Sequence, residues 1–138
     1  MNKNLKIATI LPYKENYTFN KAQAAAIWVC DFYKYSKFKD QNFIFGNTKG
    51  KDYLTKNYIN ITINNLKSKF SSSTNEYCKN FIKKTQNVYF DIIEIHNRPL
   101  VFNFLKKEIN TKYIMYFHND PLSMNGSKTT SERLKTKG

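Results

Sequence analysis

At 138 residues, with 41% hydrophobic and 16% aromatic content, the chain is a single domain able to bury a core, and a disordered chain is excluded. No stretch approaches the ~20 apolar residues that span a bilayer, and the apolar run before Pro12 is too short for a signal peptide, so a cytoplasmic protein is expected. The net charge of +13 raises nucleic acid as a partner, but all except two of the 23 basic residues are lysine, scattered over the whole chain. Only Arg98 and Arg133 offer the planar fork that reads phosphates and bases bidentately, so a solvated lysine surface is the better reading and no nucleic-acid partner is expected. Such lysines also favour peripheral contact with an anionic membrane, here the inner face of the plasma membrane. Cys30 and Cys78 have no zinc-type or CxxC spacing, which points to no metal, and Cys30 sits in an apolar run as a buried thiol.

Residues 5–13, "LKIATILPY", form a short β-branched apolar run stopped by Pro12, which predicts a buried strand. Residues 21–38 are Ala-rich and too long for a strand. Ala22, Ala25, Val29 and Phe32 make a helical stripe with Ala26 and Tyr33 beside it. Residues 42–46, "NFIFG", predict a second strand, and the alternating residues 58–63 a third, at an edge. The Ser71–Ser72–Ser73 cluster is the best loop candidate. Residues 73–86 then predict a helix in which Ser73 caps and Glu76 reaches back, with Tyr77, Phe81 and Ile82 on its apolar face. Residues 90–95, "FDIIEI", are a continuous apolar strand, followed by a helix from Pro99 through Lys107. Residues 112–117 are another strand, and Thr129 with Glu132 has capping-box spacing for a last helix over 129–135. The lysine pairs at 83–84 and 106–107 fall at the polar ends of helices.

Strands alternating with helices predict an α/β fold, a Rossmann-like parallel sheet flanked by helices on both faces. In such sheets ligands bind beyond the carboxyl ends of the strands. The chain has only two histidines, and each follows a predicted strand at that rim: His96 in "DIIEIHNRPL" and His118 in "YIMYFHNDPLSMNG". The bland alternative for each is a strand-end residue bonding nearby backbone.

Three segments, "KIATILPYKENYT", "DIIEIHNRPL" and "YFHNDPLSMNGSKTTSERL", resemble the N-terminal domain of family 4 glycosyltransferases of the GT-B fold. The likeness is densest over residues 91–134 and 6–29 and thin over 38–84. The order and spacing of all three segments carry it, rather than any one motif. It implies a hexosyltransferase-type enzyme that moves a sugar from a nucleotide-sugar donor to a glycan or lipid-linked acceptor in bacterial surface polysaccharide synthesis. It also implies that no cofactor or metal is used. His118 matches the family histidine beside the donor sugar and is the candidate catalytic residue. Asn119 and Asp120 would shape the turn and meet the acceptor. On the same rim stand His96, Asn97 and Arg98. Arg98 can pair with an acidic group on the substrate, or simply start a helix. Lys14, Glu15 and Asn16, in the first loop, are acceptor contacts or else a flexible charged loop. Where related enzymes place a glycine at the start of the next helix, this chain has Gln23, which argues against close phosphate contact there.

The donor-binding half of the family carries two glutamates eight positions apart, and no pair in this chain has that spacing. Neither a DxD pair nor a glycine-rich nucleotide loop appears. The expectation is therefore a single acceptor-side domain over residues 1–138, truncated within its last helix. The donor domain is absent, so the chain is inactive alone. A stand-alone module that binds a glycan or an anionic headgroup is the alternative.

Overall fold

The computed structural model of the chain describes residues 4–64 and 72–136. Five strands, β1 (Ile7–Ile10), β2 (Asn42–Gly46), β3 (Tyr58–Asn60), β4 (Ile92–His96) and β5 (Lys112–Tyr116), form one all-parallel sheet in the order β3-β2-β1-β4-β5. Helices α1 (Ala24–Tyr35), α2 (Ser73–Lys84), α3 (Pro99–Glu108) and α4 (Thr130–Thr136) flank it. This is an α/β, Rossmann-like fold. The winding reverses between β1 and β4, so the loops leaving those two strands diverge and open a crevice at the carboxyl rim.

Alternation along the strands divides the core in two. Ala8 and Ile10 of β1, Phe45, Ile93 and Ile95 pack against Tyr77 and Phe81 of α2 and against Val101, Phe102 and Leu105 of α3. On the other face Leu11, Ile44 and Tyr58 meet Ala26, Val29 and Cys30 of α1. Small side chains at Ala25 and Ala26 let α1 lie close to the sheet. Both cysteines are free and buried, and burial pushes the Cys78 thiol up to about 12, which leaves it unreactive.

Several expectations shift in register. The buried arc of α1 runs through Ala25, Ala26, Val29 and Cys30, so Phe32 lies about 90° off its centre and is 45% exposed. The cap of α2 is Ser72, whose hydroxyl accepts from the Asn75 amide at 3.1 Å, rather than Ser73. Glu76 consequently does not close a capping box, and its carboxylate accepts from the Asn64 amide at 2.8 Å instead. Of the expected serine loop, Ser71 lies outside the described residues, while Ser72 caps and Ser73 opens the helix. The box at α4 forms as read, with Thr129 N–H donating to the Glu132 carboxylate (2.8 Å) and Glu132 N–H to the Thr129 hydroxyl (3.1 Å). Pro99 opens α3, and both lysine pairs occupy last helical turns. Helices cover both faces around β1, but at β5 Ile114 stays 39% exposed. No helix among the described residues is long and apolar enough to cross a membrane.

One carboxylate is built into the sheet. Glu94 of β4 is buried, and its Oε2 lies 3.0 Å from the Thr9 hydroxyl, which also stands 2.8 Å from Asn42 Oδ1. A hydroxyl has one proton and can serve only one of two acceptors. A protonated Glu94 donating to Thr9, which donates to Asn42, satisfies all three groups. Burial raises the Glu94 pKa in the direction this requires, against the opposing Thr9 hydrogen bond.

A carboxyl that keeps its proton in the fold while its unfolded counterpart releases it costs stability as pH rises above the ordinary value. Glu94→Gln should therefore be more stable than the parent at pH 7. The advantage should shrink as pH falls toward 4.5. Urea midpoints of both proteins across that range measure it, and a difference independent of pH would show that Glu94 folds as an anion.

Candidate functional site

The sheet register pairs His96 with Tyr116, so β4 and β5 end level and their next residues meet. Asn97 turns the chain there with φ of 53°, a left-handed conformation that asparagine tolerates better than most residues. Its N–H donates to the Tyr116 carbonyl at 2.9 Å. Its side-chain oxygen accepts from the amides of His118 (2.7 Å) and Asn119 (3.3 Å). Two rim loops from distant parts of the sequence are thereby clamped into one surface.

This clamp brings the histidines together. Nδ1 of His96 lies 2.8 Å from Nε2 of His118, and the rings stack with centroids 5.1 Å apart. Tyr116 stacks on His96 at 4.8 Å, and Trp28 of α1 lies 5.6 Å from His96 and 5.4 Å from His118. His96 is fully buried, and its Nε2 has no hydrogen-bond partner. A buried N–H without an acceptor is costlier than a lone pair left unused, which assigns the His96 proton to Nδ1, donating to His118. The His118 proton then sits on Nδ1, leaving that N–H as the donor available to a ligand. Burial, and next the neighbouring His118, push the His96 pKa down to about 3, and burial also lowers His118. Near neutral pH both rings are uncharged.

At the same rim lies a cavity of about 390 Å³ whose lining includes Tyr13, Lys14, Asn97, Arg98, Asn119 and Lys128; chain neighbours of the two histidines line it, but not the histidines themselves. It sits across the β1/β4 switch point. Arg98 lies over the Tyr13 ring at 5.4 Å from its centroid, which fixes the guanidinium at the cavity wall.

Of the residues singled out from sequence, Lys14, Asn97, Arg98 and Asn119 line this cavity, whereas His96 and His118 pair with each other and are not part of its lining. His96 is too deeply buried to touch a ligand and acts by orienting His118. Three others are engaged in the chain's own structure. The Glu15 carboxylate accepts from the Ala26 N–H at 3.0 Å in the first turn of α1. Burial raises the Glu15 pKa, opposed by the Ala26 hydrogen bond and then by the Arg98 charge. The negative group favoured at that helix N-terminus is thus supplied internally, where the N-cap residue Gln23 makes no side-chain capping bond. Asn16 accepts from the Lys49 amide at 2.9 Å, pinning the first loop to the one after β2, so the loop is not a free charged segment. Asp120 accepts from the Leu122 amide at 2.9 Å and closes the single 3-10 turn Pro121–Ser123. Sequence reasoning passed over Trp28 and Lys128, whereas Tyr13 opens the first loop, Tyr13–Lys21, that was expected to line the cleft and does contribute to it. Trp28 is the one tryptophan and falls off the buried arc of α1, a signal that was legible. Nothing in the sequence marks Lys128 among so many lysines. Among the described residues no group of three or more His, Cys, Asp or Glu side chains is arranged to hold a metal ion.

Because the folded His96 takes a proton only near pH 3 while an unfolded histidine does so near 6.5, stability should fall with pH across that interval, by at most about 1.4 kcal/mol per unit. His96→Phe removes this term. The parent should lose ground to the variant in chemical denaturation from pH 6.5 to 5, and parallel profiles would contradict the burial of a neutral imidazole. At the clamp, Asn97→Gly keeps the left-handed backbone but loses both accepted bonds, costing about 1–3 kcal/mol. Asn97→Ala should cost about 1 kcal/mol more, because its Cβ resists that backbone. Thermal melts of the two variants rank the contributions.

No family model matches the chain, and no curated protein and no solved structure matches it either, so the function is argued from the rim's own geometry.

Proposed function

We propose that the chain is the acceptor-side domain of a GT-B-type glycosyltransferase, with His118 as the residue that meets the reacting sugar. The supporting observation is convergence. Tyr13 and Lys14, Asn97 and Arg98, and Asn119 come from the three segments that carry the resemblance, and they line one cavity at the switch point, with His118 next to Asn119 in the chain. A neutral His118 offers its Nδ1–H to a sugar hydroxyl or to charge developing on the transferred group, while His96 holds the ring in place from behind. Asn119, Lys14 and Arg98 bind a polar acceptor. A nucleotide-sugar donor would be held by a second domain facing this rim. A cytoplasmic location, with peripheral contact to an anionic membrane, suits a lipid-linked acceptor in surface polysaccharide synthesis.

The second reading is a stand-alone module that binds a glycan or an anionic headgroup without catalysis. It is favoured by the concentration of cations in the cavity.

In a two-domain protein with this chain as its first domain, His118→Ala should lower turnover about tenfold or more, roughly 1.4 kcal/mol of barrier, and leave KM for the acceptor near the parental value. Parental turnover in a folded variant would remove His118 from the reaction. Alone, the chain should bind UDP- and GDP-sugars too weakly for micromolar calorimetry. Micromolar binding would overturn the division of labour between domains.

A further inference from the structure

We infer that the cavity at the β1/β4 switch point is a binding site for a phosphate group, so that the ligand of this rim is a phosphorylated sugar or a phospholipid headgroup. Three cations, Lys14, Arg98 and Lys128, come from three different loops to line it, and among the described residues its lining contains no carboxylate. Exposed lysines are abundant on this protein and would mean little by themselves.

Arg98 distinguishes the site. Its Nε is buried without a hydrogen-bond partner, and Nη1 makes only a long 3.4 Å contact with the adjacent Asn97 carbonyl. A guanidinium is elsewhere satisfied by carboxylates, carbonyls or water. Here the guanidinium lies over the Tyr13 ring while its donors go largely unused. The carboxylate whose charge Arg98 does feel, on Glu15, is already hydrogen-bonded to the first turn of α1. Among the described residues, therefore, no carboxylate is hydrogen-bonded to the Arg98 guanidinium at the cavity wall.

Further donors stand ready around it. Asn119 and Asn125 line the same space, as does Leu100 in the first turn of α3, whose N-cap residue is Arg98 itself. Three positive charges in a recessed space suit a phosphate with one or two negative charges better than a singly charged carboxylate. A volume of about 390 Å³ exceeds a bare phosphate and leaves room for the sugar or glycerol it esterifies. The inference deepens both readings above and depends on neither, since it concerns the ligand's charge and not its transfer.

The test uses the full chain, labelled with 15N and titrated with inorganic phosphate at constant ionic strength. Saturable shifts are expected at the Arg98 Nε–H and at the Asn119 amide. Arg98→Gln should weaken binding tenfold or more. Lys14→Gln alters an exposed side chain that no fold contact requires, and it should weaken binding severalfold. Lys79→Gln removes an exposed charge from α2 outside the cavity and should leave binding unchanged. Shifts that never saturate overturn the site. So does parental affinity in Lys14→Gln, or a loss in Lys79→Gln equal to that in Lys14→Gln.

Competition by glucose 1-phosphate, with glucose inert, would identify a soluble sugar phosphate. Competition by phosphatidylglycerol vesicles, with phosphatidylcholine vesicles inert, would identify a lipid headgroup. Either result supports the inference. Saturable phosphate binding combined with full turnover in His118→Ala sinks the assigned role of His118 alone. A missing phosphate signal with transfer intact sinks the anion site alone.

Discussion

Everything at the rim depends on one asparagine side chain. Asn97 follows β4 in a left-handed turn, and its carboxamide oxygen takes the amides of His118 and Asn119 from the loop after β5. The ladder bonds between β4 and β5, the Asn97 N–H to Tyr116 carbonyl bond and the histidine contact join the two segments apart from that bridge. With it, the imidazoles meet at hydrogen-bond distance, and Asn119 and Arg98 face a common space. The left-handed conformation and the two accepted bonds are mutually supporting, because asparagine is among the few residues able to provide both.

The sheet beneath holds polar groups that an apolar interior would ordinarily reject. Glu94, Thr9 and Asn42 form a buried chain of hydrogen bonds, and His96 is enclosed by Trp28 and Tyr116 with one nitrogen unpartnered. Both ionisable groups are pushed toward their neutral forms by burial, the carboxyl upward and the imidazole downward. The face of the sheet that carries them is also the one where Ile114 and Trp28 remain partly exposed. The polar cluster therefore lies near the edge of the helix cover, not at the centre of the core formed by α2 and α3.

Charge is distributed differently from what the composition suggests. Most lysines are solvated, and those at helix ends complement the carboxyl termini of α2 and α3. Glu15 neutralises the amino end of α1, a place where a nucleotide phosphate binds in many folds of this type. Because Glu15 is bonded to the α1 terminus, Arg98 feels its charge but has no carboxylate hydrogen-bonded to it among the described residues. The anion-binding capacity of the rim lies in the cavity, with side chains rather than a helix terminus to supply it.

From the sequence alone the parallel α/β sheet could be read, because each strand is a short apolar run and each helix carries its own period and breakers. NFIFG of β2 and the Pro99 start of α3 fell where the local pattern put them. The position of both histidines at strand ends was equally local information. Capping was legible at Thr129 but slipped by one residue at Ser72, where adjacent serines offer the same chemistry and only the docked helix chooses between them. The inward arc of α1 was misjudged at Phe32 because an almost uniformly apolar helix does not say which side meets the sheet. Tertiary structure alone decided that the histidines bond each other, that Asn97 is the clamp, and that Glu15 turns inward to a helix while Arg98 faces a cavity. Those outcomes depend on which strand lies beside which, and strand order is set by long-range packing that no local stretch of residues encodes.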